Sequence, residues 1–401
     1  MKLSTKSFLN LESLEERLTP AFDFLYNPTS DIWTVTQVQD DADITIEVDG
    51  SNDLVITDGG GGPVTVGVAG GSLTINLMDN SSGDLTVELD GLLFGNVSIN
   101  LGNGGDFDGD AIRDLSLTTM GGTGIFIGGN LSITGGTGEQ SVTFDDALGV
   151  GGSMNIDLGL GDDSVSAASA TSIGSNVSFR GVNDWDAPAA VTVGGSFSMA
   201  VNMETETNTF DASVTGATVI GGNLTYIGGN SDDDIFLDVG VVIGGNVNIN
   251  LGNDISGGTQ EVRLDNFGGA AIIGGNVTIR GGTISGNDSI ISDADTIVGG
   301  NIYINTNNLG DDVVTLLGTV GGRSVSVITG LGDDVVTYGM TGNRPRVYAN
   351  LFLGDDTFIL GDNVSNPSLS FLYVDFGFGT DIFTNNFMGP FTFRAYLRNL
   401  P

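Results

Sequence analysis

The 401-residue chain contains no cysteine and no histidine. Without cysteine it has no disulfide framework, no thiol nucleophile and no thiolate ligand for a metal. Without histidine it lacks the usual general base of enzymes and the usual protein ligand for zinc. The sequence also shows no nucleotide-binding loop, catalytic triad or haem signature. These absences exclude most of the familiar enzyme chemistries that a sequence can reveal.

Positive charge is also scarce. The sequence has 12 Lys and Arg against 50 Asp and Glu, which gives a net charge of −38. Lys2, Lys6 and Arg17 lie in the first 21 residues, so the rest of the chain carries nine arginines and 47 acidic residues. Such a chain repels nucleic acid and anionic membranes, whereas a cation is a natural partner. No apolar run reaches the roughly 18 residues of a transmembrane segment.

Glycine is abundant, with 65 residues, and it belongs to a repeat. The stretch 242–251, Val-Ile-Gly-Gly-Asn-Val-Asn-Ile-Asn-Leu, recurs in variants along the chain, and we name the third residue of its Gly-Gly-Asn signature the anchor. The anchors are Ser72, Asn96, Asn130, Ser153, Asn176, Ser196, Asn223, Asn246, Asn276, Asn301 and Arg323. They follow one another at intervals of about 25 residues, which is the period of a solenoid coil.

The residues after each anchor alternate between apolar and polar, as in Val247, Asn248 and Ile249. This period of two indicates a half-buried strand. Strands that return once per repeat with the same face inward stack in parallel at ~4.8 Å. The sequence therefore predicts an all-β fold, a single right-handed parallel β-helix (β-solenoid) of roughly 11–13 coils with N- and C-terminal caps. The anchor side chains should hydrogen-bond from coil to coil.

Composition divides the chain into four segments. Residues 1–21 are a targeting or processing segment, 22–67 an N-terminal β cap with the first coils, 68–370 the β-helix repeats, and 371–401 an aromatic-rich C-terminal cap. Strands are predicted near residues 32–38, 43–48 and 53–57. At Arg323 the alternation slips by one residue, to Val325 and Val327, which predicts a bulge or an altered turn.

The N-terminal segment carries a resemblance. Residues 11–21, Leu-Glu-Ser-Leu-Glu-Glu-Arg-Leu-Thr-Pro-Ala, resemble the Leu-Glu-x-Leu-Glu-x-Arg-x-x-Pro-Ala segment near the start of many large planctomycete surface and secreted proteins. The resemblance implies export to the cell surface or the extracellular space, with processing near Pro20 and Ala21. It implies nothing about activity, and the alternative is a short disordered or amphipathic tail.

A second motif follows the anchor strand, as in Gly-Leu-Gly-Asp-Asp-Val-Val at 330–336. It resembles the Gly-Gly-x-Gly-x-Asp-x-U-x nonapeptide of calcium-binding RTX repeats, where U is a large apolar residue. In that family the nonapeptide recurs every nine residues, whereas here it occurs at most once per coil. The resemblance implies Ca²⁺ ligands at Asp162, Asp163, Asp234, Asp311, Asp312, Asp333, Asp334, Asp355, Asp356 and Asp381. The alternative is that these side chains cap backbone amides in the turns.

Three classes of function remain. The first is a non-catalytic, exported or cell-surface structural or adhesive β-solenoid, with divalent cations, extracellular polysaccharide or envelope proteins as partners. The second is a polysaccharide-active lyase or inverting hydrolase, because such enzymes also use parallel β-helices. A lyase needs a base beside an acidic sugar, which a body of net charge −38 repels. The third is a glycan-binding module that uses the exposed Thr, Ser and Asn column. The sequence favours the first class, which is not an enzyme.

Overall fold

The computed structural model describes residues 22–37, 44–48, 53–58, 64–68, 71–77, 85–88, 93–103, 113–118, 124–187, 189–201, 208–211, 218–237, 240–253, 258–264, 271–282, 286–306, 309–342, 344–361, 369–386 and 394–400. The N-terminal segment 1–21, on which the prediction of export rests, lies outside these residues. Each of the 43 elements in the described residues is a β-strand. The all-β prediction is thereby confirmed.

The strands form three sheets, and each coil visits the third, the first and the second in turn. The first sheet contains β1 (Phe22–Asn27), β2 (Ile32–Gln37), β6 (Ser72–Asn76), β9 (Val97–Asn100), β12 (Leu131–Thr134), β15 (Met154–Asp157), β18 (Val177–Arg180), β21 (Phe197–Ala200), β24 (Leu224–Ile227), β27 (Val247–Asn250), β30 (Val277–Arg280), β33 (Ile302–Asn305), β36 (Ser324–Ile328), β39 (Arg346–Asn350), β41 (Phe371–Asp375) and β43 (Arg394–Arg398).

The second sheet contains β5 (Val64–Val68), β4 (Asp53–Asp58), β3 (Ile44–Val48), β7 (Leu85–Glu88), β10 (Arg113–Thr118), β13 (Gln140–Phe144), β16 (Ser164–Ala167), β19 (Asp184–Asp186), β22 (Asn208–Asp211), β25 (Asp233–Phe236), β28 (Thr259–Leu264), β31 (Asn287–Ser292), β34 (Val313–Leu316), β37 (Val335–Tyr338), β40 (Thr357–Leu360) and β42 (Ile382–Asn385).

The third sheet contains β8 (Leu93–Phe94), β11 (Ile125–Ile127), β14 (Leu148–Val150), β17 (Thr171–Ile173), β20 (Val191–Val193), β23 (Val219–Ile220), β26 (Val242–Ile243), β29 (Ile272–Ile273), β32 (Ile297–Val298), β35 (Thr319–Val320) and β38 (Thr341–Gly342). Its eleven strands are all paired in parallel, each with the strand one coil away. The result is a parallel β-solenoid of about ten turns.

The core lies between the three sheets and is built by the predicted alternation. In β27, Val247 and Ile249 are buried while Asn248 and Asn250 are exposed. Val247 is in register with Leu224 of the coil before and Val277 of the coil after, and all three are buried. Because apolar side chains stack on apolar side chains, each coil completes the hydrophobic core of its neighbours.

The anchors form an asparagine ladder along the corner between the third and first sheets. From Ser72 to Arg323, the side-chain oxygen of each anchor accepts the backbone N–H of the next, with donor–acceptor distances of 2.8–3.4 Å. The side chains thus bond donors that lie outside the strand pairing. The predicted coil-to-coil hydrogen bonding is confirmed.

The ladder changes at Arg323, as the sequence predicts. The oxygen Oδ1 of Asn301 accepts the N–H groups of both Arg323 (2.9 Å) and Ser324 (3.0 Å). Register aligns Val325 with Ile302, so the turn holds one more residue than the turn before it. The slip in the alternation is therefore an insertion in the corner, and the strand that follows is regular.

The two ends differ from each other. At the N-terminal end, β1 pairs antiparallel with β2, and β3, β4 and β5 form an antiparallel meander at the edge of the second sheet. At the C-terminal end, β41 and β43 continue the parallel first sheet beyond residue 370, where the sequence places the end of the repeats. Among the strands that the structure describes, antiparallel pairing occurs only at the N-terminal end, where it changes the edge of the sheet.

We expect Ile249→Asp to lower the melting temperature strongly or to unfold the solenoid, because an unpaired carboxylate would enter a side-chain position that is 2 % exposed. Asn248→Asp is the matched control, since the neighbouring side chain is exposed and should change stability by no more than about 0.5 kcal/mol. Thermal unfolding followed by circular dichroism measures both. Equal melting profiles for the two variants would contradict the inward assignment.

Candidate functional site

The corner between the first and second sheets holds a column of buried polar side chains. Each stands immediately before or at the start of a second-sheet strand and faces the interior. The buried polar column consists of Gln140, Asp163, Asn183, Asn208, Asp233, Gln260, Asp288, Asp312, Asp334, Asp356 and Asp381. None is more than 6 % exposed. Buried polar groups are costly unless hydrogen-bonded, so the column needs a structural or chemical reason.

Hydrogen bonds between coils stabilise many of the buried aspartates of this column. The oxygen Oδ1 of Asp334 accepts the backbone N–H of Asp312 at 3.0 Å. Asp356 does the same for Asp334, and Asp381 for Asp356, both at 3.0 Å. Asp312 accepts the N–H of Asp288 at 2.9 Å. Each aspartate therefore bonds a backbone donor of the coil before it, and the last five members of the column form one continuous chain.

A second chain of bonds runs in the opposite direction through the exposed neighbours of these residues. The oxygen Oδ1 of Asp311 accepts the N–H of Asp333 at 2.8 Å, Asp333 accepts that of Asp355 at 2.8 Å, and Asp355 accepts that of Thr380 at 2.7 Å. In the Asp-Asp pairs, the first residue thus bonds the coil after it and the second the coil before it. We name these two chains together the aspartate ladder. It is the amide-capping alternative that the sequence left open.

The glycine before each pair allows this close stacking. Gly354 has φ +151°, and a Cβ atom there would overlap the carbonyl oxygen of Gly332 in the preceding coil. Only glycine combines that backbone conformation with so close an approach. The glycine positions of the motif are therefore explained by the geometry of the turn, without a metal.

Some of the buried carboxyl groups have one oxygen without a partner. The Asp334 carboxyl is buried beside the Thr329 hydroxyl and the N–H of Gly330, and among the described residues Oδ2 of Asp356 and of Asp381 is buried without a hydrogen-bond partner. The oxygen Oδ2 of Asp233 is in the same state, although its Oδ1 accepts bonds from the Tyr226 hydroxyl (2.8 Å) and the Asn208 amide (3.0 Å). Burial at such a place disfavours the charged carboxylate, so the group is stabilised by taking up a proton or by a nearby cation.

Burial accordingly raises the pKa of these groups. The pKa of Asp233, of Asp334 and of Asp356 rises to about 7, in each case chiefly because burial disfavours the charged form. Hydrogen bonds lower the pKa again, from the Tyr226 hydroxyl to Asp233 and from the N–H of Asp334 to Asp356. Neighbouring carboxylates along the column raise the pKa of Asp334 and Asp356 further. These carboxyls are therefore partly protonated near neutral pH.

The structure separates nine of the ten predicted metal ligands into two sets. Asp163, Asp312, Asp334, Asp356 and Asp381 belong to the buried polar column, while Asp162, Asp311, Asp333 and Asp355 are exposed in the turns. The tenth predicted ligand, Asp234, belongs to neither set. It lies on the outer face of β25 in register with Glu261, and its neighbour Asp233 occupies the column instead. Within the described residues, no three acidic side chains converge closely enough to hold a metal ion together.

Sequence reasoning missed Gln140, Asn183, Asn208, Gln260 and Asp288, which occupy the same column. A search for aspartate pairs passes over them because four are amides. The signal that finds them is position, since each precedes the apolar alternation of a second-sheet strand. An amide at this place is polar without a charge, and in two coils it donates: Nδ2 of Asn208 to the Ser231 hydroxyl (2.7 Å) and to Oδ1 of Asp233 (3.0 Å), and Nε2 of Gln260 to the carbonyl oxygen of Leu251 (2.9 Å). The column is therefore defined by buried polar side chains, and carboxylates fill every position only from Asp288 onward.

The chain matches no protein-family model, no curated protein and no solved structure among those compared. Among the described residues, no helix has the length and apolar character needed to cross a membrane.

In the presence of EDTA, we expect the free energy of unfolding to fall as the pH rises from about 4 to about 7. The three carboxyls keep their protons to a higher pH in the folded protein than in the unfolded chain, so the folded state binds more protons in this range. The double variant Asp334→Asn/Asp356→Asn should flatten this fall and raise the melting temperature at pH 8. The measurement is thermal unfolding across the pH range.

The matched control for this experiment is Asp333→Asn/Asp355→Asn, which removes the same charge from the exposed members of the aspartate ladder and keeps their acceptor oxygens. It should leave the pH dependence close to that of the unchanged chain. If both double variants flatten the curve equally, general charge repulsion explains the effect and the buried carboxyls have ordinary pKa values.

Proposed function

We propose that the chain is an exported, non-catalytic surface rod with a structural or adhesive role. The observation that supports this most is repetition: polar side chains of the described residues recur from coil to coil in columns. The asparagine ladder and the aspartate ladder use these columns to bond each coil to the next at two corners. A fold whose polar groups are engaged in stacking coils is suited to mechanical rigidity and extension.

Export is the part of the proposal that rests on the sequence. The segment at 11–21 is similar to the N-terminal segment of planctomycete surface and secreted proteins, which supports a location outside the cell. Deletion of residues 1–21 should leave the fold intact, measured by circular dichroism, and retain the protein inside the cell. Fractionation of a bacterial host that exports the full chain measures this. Equal export with and without the segment would remove the basis for the location.

We further propose that calcium stabilises the coils after residue 288. Two carboxylates of adjacent coils would hold each ion through Oδ2, Asp334 with Asp356 or Asp356 with Asp381, and carbonyl groups and water would complete its shell of about six to eight oxygens. Carboxylates stacked ~4.8 Å apart repel by about 0.9 kcal/mol in water and about 3.5 kcal/mol at an effective dielectric of 20. A cation between them removes this repulsion. Asn183 and Asn208 carry no charge for a cation to neutralise, which confines the proposal to the later coils.

Millimolar calcium should raise the melting temperature relative to EDTA, and the shift should be larger at pH 8, where the buried carboxyls are ionised, than at pH 5. The variant Asp334→Asn/Asp356→Asn should lose most of this shift, while Asp333→Asn/Asp355→Asn should keep it. Thermal unfolding and calorimetric titration measure both. The absence of any shift at either pH would leave the ladder held by hydrogen bonds and protons alone and would refute the metal site.

A further inference from the structure

Arginines gather on the outer face of the first sheet near the C-terminal end. Three of the nine arginines that follow residue 21 line one groove there, which has a volume of about 590 Å³. We name it the arginine groove, and its lining residues are Arg323, Ser324, Arg344, Arg346, Tyr348 and Ser370. In a chain of net charge −38, this is a local reversal of the charge that the rest of the surface carries.

The groove exists because two successive corners are altered. The turn at Arg323 holds an extra residue, and in the next coil Arg344 takes a positive φ of 55° just before the buried Pro345. The N–H of Arg346 donates to the carbonyl oxygen of Arg323 at 2.9 Å, which holds the two turns together. Three arginines from two coils are thereby placed side by side, and all three are exposed.

Aromatic rings continue the groove along the same face. The register of the first sheet places Tyr348, Tyr373 and Tyr396 next to one another on three consecutive strands. The ring centroids of Tyr348 and Tyr373 are 6.5 Å apart, and Phe371 lies 5.6 Å from both Tyr348 and Tyr396. A second hollow of about 300 Å³ adjoins Tyr348 and is lined in part by Asn350 and Tyr373. Tyr348 thus stands between two concave surfaces.

The acidic residue on this face is already paired with neighbouring side chains. Asp375 is the one acidic residue of β36, β39, β41 and β43, and its carboxylate is bonded by Arg398 (3.2 Å), Asn399 (2.8 Å) and the Tyr373 hydroxyl (3.2 Å). Neither Arg323 nor Arg346 forms an ion pair with any described residue. Two exposed guanidinium groups without an ion pair to any described residue therefore line the same groove as the exposed Tyr348 ring.

We propose that the arginine groove binds a short acidic saccharide, one that carries a carboxylate on a sugar ring. Guanidinium groups match a carboxylate with two parallel hydrogen bonds, and the Tyr348 ring offers a flat surface to the apolar face of the sugar. Ser324 and Ser370 supply hydroxyl partners for sugar hydroxyls, and the volume falls in the range of small-ligand sites, ~300–1,000 Å³. The inference deepens the adhesive part of the proposed function and rests on it.

Charge distinguishes this ligand from a nucleic acid. A long polyanion must cross the field of the whole acidic body, and its phosphates would lie along acidic surfaces on either side of the groove. A short ligand with up to three carboxylates interacts mainly with charges within the ~8 Å Debye length at physiological ionic strength, where the arginines dominate. The short acidic saccharide is therefore the occupant that fits both the local and the overall charge.

The test is calorimetric titration of the full chain with trigalacturonate, with its methyl ester as the neutral control. We expect the acid to bind and the ester to bind much more weakly. Arg346→Gln should weaken binding roughly tenfold or more, since it removes a charged hydrogen bond. Tyr348→Ala should weaken it as well. Arg280→Gln is the matched control, because Arg280 is exposed on the same sheet two strands before β36 and does not line the groove, and this variant should bind like the unchanged chain.

Three results would overturn the inference: no binding of trigalacturonate at millimolar concentration, equal binding by Arg346→Gln and the unchanged chain, or stronger binding of an oligonucleotide. A dimer in sedimentation that Arg346→Gln dissociates would assign the groove to a second copy of the chain and overturn it too. If the saccharide does not bind, the proposal of an exported structural rod is unaffected, because the fractionation experiment tests that proposal separately. Release of unsaturated sugar products, seen by ultraviolet absorbance, would support the site and overturn the non-catalytic role.

Discussion

The stacking of one coil on the next, at the spacing of a parallel sheet, is the constraint on which the whole molecule depends. Strands satisfy it with backbone hydrogen bonds, and the corners do so only in part: the N–H of Gly275 donates to the carbonyl oxygen of Gly245 at 2.8 Å, whereas the N–H of Asn276 donates to a side chain, Oδ1 of Asn246. Side-chain oxygens take over at two corners. At one, Asn and Ser bond forward along the chain; at the other, the Asp-Asp pairs bond both forward and backward. A residue that recurs in the sequence must therefore stack on its own copies, whatever its charge.

This constraint explains which features were predictable. Period-two alternation fixes the inward face, so Val247 and Ile249 could be assigned from the sequence, and the slip near Arg323 could be foreseen as an altered turn. The asparagine ladder followed from repetition alone. In contrast, the direction in which each aspartate of a pair points depends on the path of the turn, which composition does not encode. That is why Asp234 was chosen where the column contains Asp233.

The arginine groove illustrates a second limit of sequence reasoning. Arg323 and Arg346 are a full coil apart in the sequence, and they meet only because the corners of two coils are lengthened together. Periodicity identifies the regular part of a solenoid and treats departures from it as irregularities. In this chain the departures are where side chains of unusual type collect. A search for sites in such folds should therefore begin at the coils that break the repeat.

Stacking also brings like charges close together from coil to coil, and the residues at the corner differ between the middle and the C-terminal coils. In the middle coils, Asn183 and Asn208 occupy the buried polar column without charge. Beyond residue 288, carboxylates fill both the buried and the exposed positions of the corner. The exposed ones are solvated, whereas burial raises the pKa of Asp334 and of Asp356 to about 7. Protons therefore act mainly on the C-terminal coils and, in the middle coils, on Asp233, whose pKa burial also raises to about 7. The coils with Asn183 and Asn208 hold no titratable group at this position.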